Sequence, residues 1–219
     1  MGCDARIRHP ELAMLTLWGR LSSINVRKVV LTAKWLGIPL VRIDAGASFG
    51  ITTSPEYRAR NPNALVPMLE DGDFALWESN VIVRYLCAKN PEGGLYPPDL
   101  RTRFDAERWM DWQQTTLNGA GREAFIQFFR TPVERRDPQA IAASVAATEP
   151  LLEMLDAHLA QCPFMAGERP SMADIPIACE MHRWWGLPMR HADHPHLRRW
   201  YEGLLQRPAA RGVLDLALS

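Results

Sequence analysis

Two short segments hold residue types able to grip an anion. The first is Glu78-Ser79, which ends a run from Val66 that reads as strand, tight turn, strand and helix start. Asp71-Gly72 is the turn signal, because both central residues of a type I′ hairpin need positive φ. Ser79 then stands at an N-cap position ahead of the apolar pattern Val81, Ile82, Tyr85, Leu86. A helix that opens off a hairpin offers free N–H groups and a partial positive charge, which suits a carboxylate. The second segment, Ser22-Ser23-Ile24-Asn25, lies at an earlier helix start. Loops before helices are rich in Ser and Asn, so plain capping is the competing role for both segments.

These residues must be positioned by an alternating first half. Leu15 to Gly19 reads as a short buried strand, and Val26, Val29, Val30, Ala33 and Leu36 recur at helical spacing before Gly37 stops the helix. Pro39 to Ile43 is a second strand, and Glu56 to Arg60 a helical turn within an irregular stretch. Strand, helix, strand, hairpin and helix is the order of a thioredoxin-like α/β domain. Strand signals vanish after Tyr96-Pro97-Pro98-Asp99, a stiff linker. A long helix begins near Leu100, and Asp137-Pro138 caps another whose stripe runs through Ile141, Val145, Leu152, Leu155 and Leu159. Pro150 inside that stripe predicts a kink or a split. Ser171-Met172-Ala173-Asp174 is a capping box, and the last helix carries Leu197, Trp200, Tyr201 and Leu204 before Pro208. The expected division is an extension over 1–13, an α/β domain over 14–92, a linker over 93–99 and an all-α domain over 100–219.

Composition narrows the function classes. The 219 residues are 47% hydrophobic and 23% charged, as in an ordinary globular protein. Basic and acidic residues number 25 each, so no global field draws the chain to nucleic acid or to an anionic membrane. Cys3, Cys87, Cys162 and Cys179 are scattered without ligand-like spacing, and a reducing cytoplasm is the expected location. No apolar run approaches the roughly 20 residues of a membrane span. His191, His194 and His196 cluster in a Pro-containing loop where solvated histidines are the better reading than a metal site, so no metal is expected.

Taken together, Ser23-x-Asn25, Asn61-Pro62 ahead of Val66-Pro67, Glu78-Ser79 and Ser171-x-x-Asp174 resemble the glutathione S-transferase family, over about residues 14 to 218. The likeness is to its bacterial, theta-like or nu-like, serine-type members. It implies the cytosolic glutathione transferase architecture: a thioredoxin-like α/β N-terminal domain plus an all-α C-terminal domain. It also implies glutathione as co-substrate and a homodimer packed through the helices around Arg84 and residues 100–118. Ala64 departs from the family, where many members carry glycine, and is strained by about 1 kcal/mol if the site needs positive φ.

The resemblance assigns roles residue by residue. A cis Val66-Pro67 bond would turn the Val66 N–H and C=O outward to pair with the cysteinyl backbone of glutathione. Ser79 and Glu78 would hold the γ-glutamyl carboxylate and ammonium. Ser23, with Asn25 as a second donor, would stabilise the thiolate, and the neighbouring Ser22 competes for that role or helps to bind glutathione. Lowering a thiol pKa from about 8.5 to about 6.5 takes about 2.7 kcal/mol, within reach of one hydroxyl hydrogen bond and a helix N-terminus. A small, largely apolar electrophile would lie between Arg20 and Leu21 on one side and Trp109, Trp112, Thr116 and Phe125 on the other. Attack on carbon and reduction of a peroxide or disulfide share the same thiolate. A non-catalytic binding or regulatory protein on the same fold is the alternative.

Overall fold

The computed structural model describes residues 14–218; the expected extension over 1–13 lies outside the described residues. The first half is a four-stranded sheet in the order β2-β1-β3-β4, with β1 (Leu15–Trp18) parallel to β2 (Leu40–Ile43) and antiparallel to β3 (Met68–Asp71), which pairs antiparallel with β4 (Phe74–Trp77). Alternation along β1 sends Leu15 and Leu17 into a core with Val26, Val29, Ile82 and Leu86 of α1 (Ile24–Leu36) and α3 (Ser79–Lys89). Trp18 points the other way, edge-on to buried Tyr57 of α2 (Pro55–Arg60), with ring centroids 6.4 Å apart.

Local chemistry explains two departures from the expected boundaries. Asp71 pairs with Phe74, so the turn residues are Gly72 and Asp73, one position later than the sequence signal. Only Gly72 has positive φ (63°), the pattern of a type II′ rather than a type I′ hairpin. Ser79 is the first helical residue of α3, and Glu78 takes the N-cap position.

The second half is helical: α4 (Leu100–Trp112), a π turn (Gln113–Leu117), α5 (Asn118–Phe129), α6 (Pro138–Gln161), α7 (Asp174–Trp185) and α8 (Pro195–Leu205). Asp137 caps α6 through the N–H groups of Gln139 and Ala140. Pro150 sits inside an unbroken α6, so the expected split does not occur. Packing of Leu152, Leu155 and Leu159 into the core outweighs the missing backbone hydrogen bond. The larger core includes Leu31 of α1 and Val83 and Cys87 of α3, so the two halves share apolar contacts.

A polar bridge reinforces that contact. Lys28 of α1 is fully buried and donates to Gln113 Oε1 at 2.8 Å and Gln114 Oε1 at 2.9 Å. Gln113 in turn donates to Glu180 Oε2 at 2.8 Å, and Glu180 pairs with Arg183. Burial pushes the Lys28 ammonium down to about 8 against the pull of Glu180.

Asp174 anchors the start of α7. It accepts from the Ser171 N–H at 2.8 Å, the Met165 N–H at 3.1 Å and Trp200 Nε1 at 2.9 Å, all out of solvent. Burial pushes its carboxyl above the usual range while these donors pull it back. Asp174→Ala leaves three buried donors unpaired, and urea denaturation should show a loss of at least about 3 kcal/mol. A loss below about 1 kcal/mol would contradict this anchoring role.

Candidate active site

The first turn of α1 is the wall between two cavities. Gly19 makes its position possible: φ is 155°, and a Cβ there would come within 2.4 Å of Val26 Cγ2. The chain therefore leaves β1 flush against α1 and turns through Arg20 to Ser23, closed by the Ser23 N–H bonding to Arg20 O at 3.1 Å. Ser23 is the N-cap of α1, yet its side chain makes no capping hydrogen bond. Its hydroxyl bonds to no described residue and sits at a helix N-terminus, where partial positive charge favours an anion.

The smaller cavity, about 140 Å³, gathers Asn25, Val66, Pro67, Glu78 and Ser79 with Asn61, Asn63, Leu65, Trp77 and Gln114. The Val66-Pro67 bond is cis, and both residues lie before the ladder, which starts at the Trp18–Met68 pair. Leu65 O, accepting from Tyr57 Oη at 2.6 Å and Asn61 Nδ2 at 2.8 Å, fixes the approach to that bond. Ala64 has φ of 55°, a strained conformation for a residue with a Cβ. Glu78 has φ of 72° and ψ of 110°, a rarely adopted backbone state costing on the order of 1–3 kcal/mol. Its carbonyl takes the Ile82 N–H at 2.9 Å, leaving the first N–H groups of α3 for a ligand. Asn25 Oδ1 is buried at this wall, and no described residue donates to it.

The larger cavity, about 370 Å³, is lined by Ser22, Ser23, Arg20 and Ile24 from the first half, and by residues of α5 and α7 from the second, among them Phe125 and Ile126. Ser22 thus lies with Ser23 in this cleft rather than with Glu78 and Ser79, because it precedes the turn that aims Asn25 the other way. Arg20 and Phe125 both line it. Leu21 is half-buried and lines neither of these cavities. Trp109, Trp112 and Thr116, expected on the far wall, line neither of these two cavities. Trp109 is 8% exposed and packs against Trp112 and His158, with ring centroids at 5.4 and 4.8 Å, while Thr116 is exposed on the π turn. The Trp109 ring meets α6 at His158, a contact that a count along α4 alone does not reveal.

Sequence reasoning missed Gln114, Arg122, Arg130 and His182. Only the α5 spacing of Arg122, Phe125, Ile126 and Arg130 hinted at one helical face. Cys179 also borders the cleft, but burial pushes its thiol up to about 12, so it stays protonated. His191, His194 and His196 go separate ways, to Leu187 O, Glu149 and Arg199.

Against this geometry, a protein-family model described as Glutathione S-transferase, N-terminal domain matches residues 13–88, and one described as Glutathione S-transferase, C-terminal domain matches residues 138–203. Glutathione S-transferase GstB of Escherichia coli is 42% identical over 208 residues, covering 94% of this chain and 100% of the relative. The crystal structure of the theta class glutathione S-transferase from Xanthomonas axonopodis pv. citri with glutathione bound is similar with a TM-score of 0.91 and 42% identity, over 94% of this chain and 100% of that one. Glutathione S-transferase-I bound with lactoylglutathione is similar with a TM-score of 0.84 and 25% identity, over 92% and 99%. The chain belongs to the glutathione S-transferase family.

His182 supplies a pH test of the cleft wall. Its Nε2 accepts from Arg27 Nη1 at 2.9 Å, and burial followed by the Arg27 charge pushes the ring down to about 4. The folded ring is therefore neutral where the unfolded one, near 6.5, is charged. Its contribution is full above pH 6.5 and is lost as pH falls from 6.5 toward 4, on the order of 3 kcal/mol. Thermal melts against pH should fall more steeply over that window for the wild type than for His182→Asn. Parallel slopes would mean the ring is not held neutral.

Proposed function

We propose that the chain is an enzyme that activates the thiol of glutathione for attack on a small electrophile. The observation that carries this reading is the shared wall. Val66, Glu78 and Ser79 lie together in a cavity sized for a peptide end, and the uncommitted Ser23 hydroxyl faces the adjoining cleft. The γ-glutamyl carboxylate docks at the N–H groups and hydroxyl of Ser79, and the ammonium at Glu78 with the orphan Asn25 Oδ1 beside it. The cysteinyl backbone pairs with Val66, which points the sulfur over the first turn of α1. The thiol proton goes to solvent, Ser23 donates to the thiolate, and the sulfur forms a bond to the electrophilic carbon as the leaving group departs with its electron pair. Ser23 is the catalytic residue, with Ser22 next to it in the same cleft as the competing donor.

The strain at Glu78 and the orphan acceptor at Asn25 speak for a ligand site rather than for capping alone. Phe125 and Ile126 offer an apolar wall to the body of the electrophile. The proposal includes a cytoplasmic role in detoxification, consistent with Cys87, Cys162 and Cys179 remaining free thiols. Among the described residues, no helix is long and apolar enough to cross a membrane.

Ser23→Ala should lower kcat/KM with an aryl halide by about 10–1000-fold at little cost in glutathione affinity, and Glu78→Ala should chiefly raise the KM for glutathione. Retention on immobilised glutathione without turnover, unchanged in Ser23→Ala, would favour a non-catalytic protein. The proposal also includes a homodimer through α3 and α4, on which Val81, Leu100 and Phe104 are exposed while Arg84 is held within its own chain by Glu107 and Asp111. Sedimentation at micromolar concentration should give twice the chain mass, and a monomer would contradict it.

A further inference from the structure

The larger cleft carries a charge pattern that a purely apolar electrophile does not need. Five arginines line it (Arg20, Arg27, Arg122, Arg130 and Arg183), and no Asp or Glu does among the described residues. Acidic and basic residues balance at 25 each over the whole chain, so this is local segregation of charge. Arg183 is neutralised by Glu180. Arg27 is buried and donates to His182 and to the carbonyls of Val213 and Ala217, all uncharged acceptors. The guanidinium groups of Arg20 and Arg122 make no ion pair or hydrogen bond with any described residue.

The placement of these two groups is specific. Arg20 leads directly into Ser22 and Ser23, and its Nη1 packs where a Cβ on Gly46 would come within 3.0 Å. Burial and the facing charge of Arg130 both work against its cation, so like charges approach each other across the cleft. Arg122 projects from α5 one turn before Phe125 and Ile126, on the same helical face. The Phe125 ring is flanked by the Arg130 and Arg183 guanidiniums at 5.5 and 5.6 Å from its centroid.

Building on the transferase reading above, we propose that the electrophile of this enzyme is an anion, with an apolar body against Phe125 and Ile126 and a carboxylate received by Arg20 and Arg122. A planar carboxylate matches the forked donors of arginine, and its charge relieves the repulsion between the two halves. The arginines thereby select substrate and place its reactive carbon toward Ser23.

The test uses a matched pair: a chloronitrobenzoate, with chlorine para to the carboxylate and nitro ortho to chlorine, and the corresponding amide. In both, the glutathione sulfur bonds to the ring carbon, the C–Cl bond breaks with its electron pair leaving on chloride, and the thiol proton goes to solvent. Each kcat/KM is divided by the uncatalysed rate with glutathione to remove intrinsic reactivity. The benzoate should be preferred by about tenfold or more, and Arg20→Gln and Arg122→Gln should each erase most of that preference while the lysine variants keep part of it. Free nitrobenzoate should compete with the electrophile in the wild type better than nitrobenzamide does, a readout that needs no variant. Conjugation of the amide as well as the benzoate, with no competition by nitrobenzoate, overturns the anion proposal and leaves the transferase reading intact. Failure to conjugate either compound removes both. A rise in the KM for glutathione alone, equal for both electrophiles, would assign the arginines to the co-substrate and overturn the proposal as well.

Discussion

The site depends on where α1 points. Its N-terminus must open into the gap between the sheet and the helical half, and buried cations of α1 tie it there. Lys28 sits one turn beyond Ser23 and Asn25 and reaches across to Gln113 and Gln114 of the π turn. Burying an ammonium is costly unless its donors are satisfied. The two glutamine oxygens and the nearby Glu180 supply that satisfaction, and the geometry tolerates little slack. Gln114 is at once a partner of Lys28 and a wall of the small cavity, so the contact that fixes α1 also shapes the peptide-binding side. Arg27, on the adjacent face, repeats the device by tying α1 to His182, Val213 and Ala217.

Around that fixed helix, the two cavities divide the chemistry. One is small, polar and braced by backbone strain at Ala64 and Glu78, which suits a ligand with a defined backbone. The other is wider, with an aromatic wall and a surplus of positive charge, which suits variable partners of one sign. Ser23 faces the wider cleft from the helix turn whose Asn25 faces the smaller one. A hydroxyl donor and helix dipole acting there need no reorganisation when a sulfur anion forms, which is how such sites lower a barrier.

Much of this was legible in the sequence, and the pattern of what was not is physical. Segments whose signals are local came through: the alternation in β1, the Asp137-Pro138 cap, the Ser171–Asp174 box and the Val66 to Ser79 run. The turn lies one residue later because Gly72 takes the positive φ of a type II′ turn at the first central position, while Asp71 pairs with Phe74. The α6 helix survived Pro150 because three leucines anchor its second half in the core. The pocket wall is the least legible part. Trp109 and Trp112 look like lining residues in one dimension, but which face of α4 meets α6 is set by tertiary packing. The arginines of the cleft come from the turn after β1, from α1, from α5 and its C-cap, and from α7, so no window of sequence brings them together.

The chemistry proposed for this site stands on thiolate stabilisation at the opening of α1. Absorbance of the thiolate in the ultraviolet, followed against pH with glutathione bound, measures that most directly. The bound thiol pKa should be about 6.5 in the wild type and rise toward the free value of about 8.5 when Ser23 becomes alanine. A bound thiol that titrates near its free value in the wild type, or at the same pH with and without the Ser23 hydroxyl, would contradict it.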